Sequence, residues 1–181
     1  MSGALPLIVA AASAGLPAEP EPLRNDVSIA LPSLDGLRGI QVAYERLLPK
    51  QLGLSASIQI RQAAVGDYGG TRAGLGGELR RYFGRSRFGT HAPGSMVGWY
   101  LGARVDVAID TTTDTMTDRS LGTTLEIGTS SSVGYRLAPW RGLEITPSVG
   151  LTYRLDVDLS GRLPPWSRPG IAGGLAVGWL F

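Results

Sequence analysis

Apolar and polar residues alternate with a period of two along most of the chain after residue 26. The clearest segments span residues 95–110, 121–137 and 143–158, where one set of alternate positions is apolar and the other is polar or small. Successive side chains of a β-strand point to opposite faces, so each segment is predicted to be a strand with one apolar and one polar face. None of these segments has helical spacing.

Weaker alternation predicts further strands, which bring the total to eight and leave no predicted helix. They cover Val27–Leu31, Ile40–Glu45, Leu52–Arg61, Gly74–Phe83 and Gly170–Phe181. Strands of soluble proteins usually have about 5–6 residues, whereas a strand that crosses a bilayer needs about 9–11. At least four of the predicted strands reach the longer figure.

The connectors between the strands differ in length. Residues 49–51 and 139–142 are predicted to be short turns, and residues 64–72, 111–120 and 159–169 longer polar loops. Short turns that alternate with longer loops, around an even number of strands, predict an all-β, eight-stranded antiparallel up-and-down transmembrane β-barrel. The connector at residues 85–94 falls among the short turns and is longer than this rule predicts.

Alternation alone does not decide which face is inside. A soluble lipocalin-like barrel turns its apolar face inward, and a transmembrane barrel turns it outward. The polar face of this chain is rich in glycine, serine and threonine, which suits a narrow lumen. Aromatic residues of the apolar face lie near strand ends, as in the interfacial belts of membrane proteins: Tyr44, Phe83, Trp99, Tyr135, Tyr153, Trp179 and Phe181.

Charged residues of both signs share the polar face. An enclosed charge costs several kcal/mol or more unless it is paired, so these residues are predicted to form ion pairs that fill the lumen. The alternative is the hydrated outer face of a soluble sheet. The predicted network consists of Glu45, Arg61, Glu78, Arg80, Arg104, Asp106, Glu126, Arg136, Glu144, Arg154 and Asp156.

Composition adds to this picture. The chain has 26 glycines in 181 residues, about twice the usual share of ~7%. Many lie on the polar face, where the narrow interior of an eight-stranded barrel needs small residues. There is no cysteine, which excludes disulfides, thiolate metal sites and a cysteine nucleophile. A formal net charge of +2 with scattered arginines predicts no nucleic-acid partner.

The N-terminal residues have the composition of an export signal. An apolar run at residues 4–16, with Ala12-Ser13-Ala14 near its end, predicts a signal peptide within residues 1–14, although no Lys or Arg precedes the run. Residues 15–25 are predicted to be a proline-rich linker, and residues 26–181 the barrel. A disordered N-terminal tail is the alternative.

Motifs for catalysis or ligand binding are not recognisable. His91 is the single histidine and lies in a predicted loop, far from any assignable acid and serine partners. The acidic run at residues 110–118 lacks the spacing of an EF-hand, and the glycine-rich residues 66–77 lack the Lys-Ser/Thr ending of a phosphate loop. We therefore expect no enzymatic activity, no metal and no cofactor.

Three arginines lie near the predicted periplasmic rim of the barrel: Arg81, Arg85 and Arg87. They are placed to meet lipid headgroups. They are equally typical of charged residues in an ordinary turn.

The end of the chain resembles a known signal. Phe181 follows Trp179, Val177 and Leu175 at two-residue steps, which resembles the insertion signal of bacterial outer-membrane barrels. Residues 77–83, and Ala92-Pro93-Gly94 leading into residues 99–102, resemble the family of small OmpA/OmpX-like and OmpW-like outer-membrane barrel domains. The resemblance covers roughly residues 26–181 and rests on pattern more than on invariant motifs. It implies an eight-stranded barrel with both chain ends in the periplasm, and no particular ligand.

The sequence thus predicts a monomeric integral protein of the bacterial outer membrane. Its expected partners are outer-membrane lipids and the barrel-assembly machinery, and its expected role is structural, adhesive or in surface recognition. Two alternatives remain open. One is a porin-like conduit for small apolar molecules, similar to OmpW, and the other is a soluble exported barrel that binds a ligand as lipocalins do.

Overall fold

Eight β-strands follow one another along the chain in the computed structural model, which describes residues 24–32, 38–65, 68–83, 96–114, 116–117, 119–140, 142–161 and 163–181. A 3-10 turn, Pro49–Gln51, joins the second strand to the third. Within these ranges no helix has the length and apolarity of a membrane span. The strands are β1 (Asn25–Pro32), β2 (Arg38–Leu48), β3 (Leu52–Val65), β4 (Tyr68–Phe83), β5 (Gly98–Asp114), β6 (Arg119–Arg136), β7 (Leu143–Asp158) and β8 (Trp166–Leu180).

Each strand pairs antiparallel with the next, and β1 also pairs with β8, so the sheet closes on itself in a ring. The closing pair includes Val27 opposite Trp179 and Ile29 opposite Val177. Main-chain bonds between Asn25 and Phe181 extend it at one end. The prediction of eight antiparallel strands in an all-β chain is therefore confirmed. A ring of this kind leaves no strand with an unpaired edge.

The strands are tilted with respect to the axis of the ring. Asp26 pairs with Leu180 across the β1–β8 junction. If the paired residues are followed from Asp26 in the other direction, through β2 to β7, the path reaches Gly170 on β8. This residue lies ten positions before Leu180. With about 3.3 Å per residue and about 4.8 Å between strands, this stagger corresponds to a tilt of about 40°. The path runs through Glu45, Ser55, Glu78, Arg104, Ser130 and Thr152.

The strands extend further than the sequence predicted. The three loops expected at residues 64–72, 111–120 and 159–169 are wrong in extent. Only residues 66–67 separate β3 from β4, and β5, β6 and β8 take up parts of the other two. Glycine and aspartate in these segments are typical of loops, but in a closed sheet both neighbouring strands supply the main-chain bonds. Small and polar residues can therefore continue a strand.

Alternate positions of every strand face the inside of the ring, and these are the polar or small ones. Along β5 the inward Tyr100, Gly102 and Ala108 are buried, whereas the outward Trp99 and Val105 are 58% and 55% exposed. The buried polar and charged side chains are Asp26, Ser28, Glu45, Ser55, Ser57, Gln59, Arg72, Glu78, Glu126, Arg136, Glu144, Thr146 and Asp156. This ring is thus polar inside and apolar outside, the reverse of a water-soluble barrel.

Several inward glycines leave room for their neighbours' side chains. A Cβ atom at Gly134 would overlap the buried ring of Tyr100, whereas one at Gly122 would meet no atom within 4 Å. We expect Gly134→Ala to destabilise the fold by about 1–3 kcal/mol, the usual effect of overpacking, and Gly122→Ala to change it little. Urea unfolding of the two variants measures the difference, and equal midpoints would contradict this account of the inward glycines.

Candidate functional site in the lumen

The lumen is filled by charged side chains at the end of the ring that carries Asn25 and Leu180, called here the terminal end. Arg136 of β6 is fully buried there. Its guanidinium group lies 2.8 Å from a carboxylate oxygen of Glu45, 2.6 Å from one of Glu144 and 3.4 Å from one of Asp26. These acids come from β2, β7 and β1, so one arginine ties together strands from around the ring.

Arg80 of β4 adds a second cation beside Arg136. It lies 2.7 Å from Oε2 of Glu45 and 2.8 Å from Oε2 of Glu78. Its guanidinium carbon is 4.7 Å from the centre of the Tyr100 ring, within the range of a cation–π contact. The hydroxyl of Tyr82 donates to Oε1 of Glu45 at 2.6 Å. The buried carboxylate of Glu45 thus contacts two arginines and a tyrosine, which compensate its negative charge.

Aromatic and apolar side chains complete this cluster. The rings of Tyr82 and Tyr100 are 5.8 Å apart, and Met96 and Leu180 are fully buried beside them. These buried side chains occupy the lumen at the terminal end. We call the following residues the terminal plug: Asp26, Glu45, Glu78, Arg80, Tyr82, Met96, Tyr100, Arg136, Glu144 and Leu180.

A second group of ion pairs lies toward the opposite end. Arg72 of β4 makes two contacts with the carboxylate of Glu126, at 2.6 and 2.7 Å. Arg154 and Arg168 lie 3.5 and 3.7 Å from the same carboxylate, and Arg168 is also 3.1 Å from Asp156. Bidentate arginine–carboxylate pairs are among the strongest charge-assisted hydrogen bonds. The Arg72–Glu126 pair therefore anchors this group.

Between the two groups, Arg104 contacts Asp106 at 2.5 Å and the hydroxyl of Ser57 at 2.9 Å. A cavity of about 170 Å³ lies beside this pair, lined on one side by small and hydroxyl-bearing residues that include Ser148. The Thr146 hydroxyl is buried at its wall without a protein hydrogen-bond partner. Polar cavities that are large enough for water are normally hydrated.

The structure brings many of the residues predicted for the ion-pair network into contact. Glu45, Glu78, Glu144, Arg80 and Arg136 meet in the terminal plug. The remaining predicted members lie on the inner face further along the lumen. Arg104 contacts Asp106, Arg154 contacts Glu126, Asp156 contacts Arg168, and Arg61 lines the cavity.

Sequence reasoning missed several members of these clusters. Arg72 was assigned to a loop, but it belongs to β4 and points inward. Asp26 and Arg168 lie at or beyond the predicted strand limits. Tyr82 and Tyr100 occupy polar-face positions of the sequence pattern, but the sequence predicted no role for them. Arg72 lies an even number of residues before the inward Gly74 and Glu78. A predicted β4 that began earlier would therefore have placed Arg72 on the inner face.

Other predicted features have less structural support. Within the described ranges no three His, Cys, Asp or Glu side chains are placed to hold a metal ion. His91, Arg85 and Arg87 lie outside the described residues, as do residues 1–23 with the predicted signal peptide. The residues of the predicted insertion signal are all exposed on the outside of the ring or just beyond it: Leu175, Val177, Trp179 and Phe181.

The outer surface is a mainly apolar band, which the outward, exposed Thr129 and Ser131 of β6 interrupt. Along β5 the outward residues from Trp99 to Ile109 are all apolar, and at a tilt of about 40° this stretch rises about 25 Å. The outward charges Arg46 and Arg81 stand at its lower limit, near the terminal end. Most outward aromatic residues gather at that limit too: Tyr44, Phe83, Trp99, Tyr135, Trp179 and Phe181.

Comparison with protein-family models, with curated proteins and with solved structures finds no match.

Proposed function

We propose that this chain is an integral β-barrel protein of the bacterial outer membrane with a closed lumen. In this role it serves as a membrane-anchored scaffold whose loops at the end opposite the termini take part in structural, adhesive or recognition contacts. The observation that carries the proposal is the distribution of side chains, apolar on the outside of the ring and charged within it. A band about 25 Å tall matches the apolar belt of outer-membrane barrels.

The shape of the apolar surface favours lipid over a protein partner. Exposed apolar patches of more than a few hundred Å² mark protein–protein or membrane interaction sites. Here every strand contributes exposed apolar side chains, among them Ile29 of β1, Ile58 of β3, Leu101 of β5 and Leu151 of β7. A protein partner would have to encircle the ring, whereas a bilayer does so by its nature.

The filled lumen supports a scaffold rather than a conduit. A porin-like or OmpW-like channel needs a continuous or laterally open path, and the terminal plug occupies the lumen at one end. A lipocalin-like carrier of apolar ligands needs an apolar interior, whereas the cavity here borders charged side chains such as Arg104 and Asp106. Both alternatives therefore fit the contacts less well than a closed barrel.

Fractionation of expressing cells, with gel electrophoresis of heated and unheated samples, tests this proposal. We expect the protein in the outer-membrane fraction, with a folded form whose mobility changes on boiling. Planar bilayers with the purified protein should show no stable channel at physiological salt. A soluble periplasmic product would contradict the membrane assignment. Steady single-channel currents would contradict the closed lumen.

Phe181 offers a test of the proposed insertion signal. Phe181→Ala keeps the main-chain bonds that Phe181 makes with Asn25, at 2.9 Å in each direction, and removes only the aromatic ring. We expect the yield of folded barrel in cells to fall several-fold, because the assembly machinery would no longer meet the aromatic ring that follows β8. Phe83→Ala, which removes an exposed aromatic ring from the same belt, is the matched control. Equal yields from the two variants would refute the signal.

A further inference from the structure

Exposed positive charge is concentrated on one side of the terminal end. Arg46 of β2, Lys50 of the β2–β3 turn and Arg81 of β4 are all exposed. The carboxylates nearest to these three cations, such as that of Glu45, point into the terminal plug and are buried. The outer rim on this side therefore presents cations to its surroundings without neighbouring described carboxylates to neutralise them.

The pairing of the strands sets the spacing of these cations. Arg46 stands opposite Leu54, and Arg81 stands opposite Leu52. Two strand spacings of about 4.8 Å and a two-residue offset put the Cα atoms of Arg46 and Arg81 about 12 Å apart. Both side chains are long enough to reach a group placed between them. The outward Leu54 and Leu79 lie next to this position, on the side toward the middle of the apolar band. They are 53% and 48% exposed.

The turn below holds one of the cations in place. Nη1 of Arg81 donates a hydrogen bond to the carbonyl oxygen of Lys50. Lys50 and Gln51 adopt φ values of 63° and 58°, the left-handed region that residues other than glycine rarely occupy. Strained backbone of this kind often accompanies a functional site. Here the turn orients its carbonyl toward Arg81 and leaves other donors of the exposed guanidinium group available.

We propose that Arg46, Lys50 and Arg81 bind the phosphate of an anionic phospholipid in the leaflet at the terminal end. Guanidinium groups match phosphate oxygens in a bidentate manner, and basic residues just outside an apolar belt attract anionic headgroups. The exposed leucines above the cations take the acyl chains, which favours a lipid over a soluble phosphate compound. The inference rests on the proposed membrane location and adds a lipid preference and an orientation to it.

Native mass spectrometry of the folded protein, with short-chain phosphatidylglycerol or phosphatidylcholine added, tests the site. We expect preferential binding of phosphatidylglycerol, reduced about fivefold by Arg81→Gln, the effect of one basic residue near an anionic surface. The triple variant Arg46→Gln, Lys50→Gln, Arg81→Gln should lose the preference. Arg168→Gln, which removes one exposed cation from the opposite end, is the control.

Two results would overturn the lipid site. One is equal binding of phosphatidylglycerol by the wild type and the triple variant, and the other is competition by inorganic phosphate as effective as that by the lipid. Heat-modifiable insertion into vesicles is measured in parallel on every variant. A wild type that inserts without a lipid preference refutes only the lipid site. A wild type that does not insert refutes the proposed function as well.

Discussion

Replacing Arg136 with methionine is expected to destabilise the folded barrel by about 3–5 kcal/mol, the usual effect of removing one partner from a buried ion pair. Arg136 is the fully buried cation that faces Asp26, Glu45 and Glu144 at once. Methionine fills much of the same volume but leaves these carboxylates without their shared partner. Urea unfolding in lipid vesicles, followed by tryptophan fluorescence, measures the change.

Two further variants separate charge from packing in the plug. Arg24→Met removes an exposed arginine just before β1, outside the plug, so we expect a change of less than about 1 kcal/mol. Glu144→Gln combined with Arg136→Met should recover part of the lost stability, because one orphaned carboxylate is then neutral. If Arg136→Met unfolds at the same urea concentration as the wild type, the plug does not stabilise the fold.

An arginine in the middle of the outer band should be almost as damaging. Val105 lies near the middle of the stretch from Trp99 to Ile109 and is 55% exposed. Arg and Lys at the lipid-facing midplane of a barrel cost about 2–4 kcal/mol, whereas near the interfaces they cost about 0–1 kcal/mol. We therefore expect Val105→Arg to lower the unfolding free energy in vesicles by the larger amount. Thr111→Arg, outward on the same strand but beyond Ile109, should have the smaller effect.

This pair of variants distinguishes lipid from water around the ring. If the outer face met water, an exposed arginine at residue 105 would be tolerated and would improve solubility. Equal unfolding midpoints for Val105→Arg and Thr111→Arg would therefore count against a lipid-facing band.

The alternation of β5, β6 and β7 was sufficient to predict their existence and faces, because period two in the sequence is period two in space. Strand ends were not predictable from the same signal. Gly69 and Gly70 are typical of loops in isolation, and the threonines 111–113 lack the alternation of apolar and polar residues. The neighbouring strands of the closed ring hold both segments in extended form. For this reason, the predicted ion-pair network did not include Arg72.

The partners of each charge depend on the whole ring. Arg136 meets Glu144 on the neighbouring strand β7. It meets Asp26 of β1 because the ring closes with a stagger of ten residues. Nothing local in the sequence encodes that stagger. The sequence therefore indicated which face the charges share, and the closed register determined which of them touch.

The absence of cysteine from the chain makes one measurement especially direct. Single cysteines at Ala103, Val105 and Val107, and at the inward Ala108, can each carry a nitroxide spin label in lipid vesicles. Collision rates with oxygen and with a water-soluble nickel chelate then report the surroundings of each position. A label at Met116, which is 79% exposed in the turn between β5 and β6, is the reference for water. We predict that the three outward positions collide with oxygen and not with the chelate, most clearly at residue 105. Chelate access at residue 105 equal to that at residue 116 would contradict the membrane barrel.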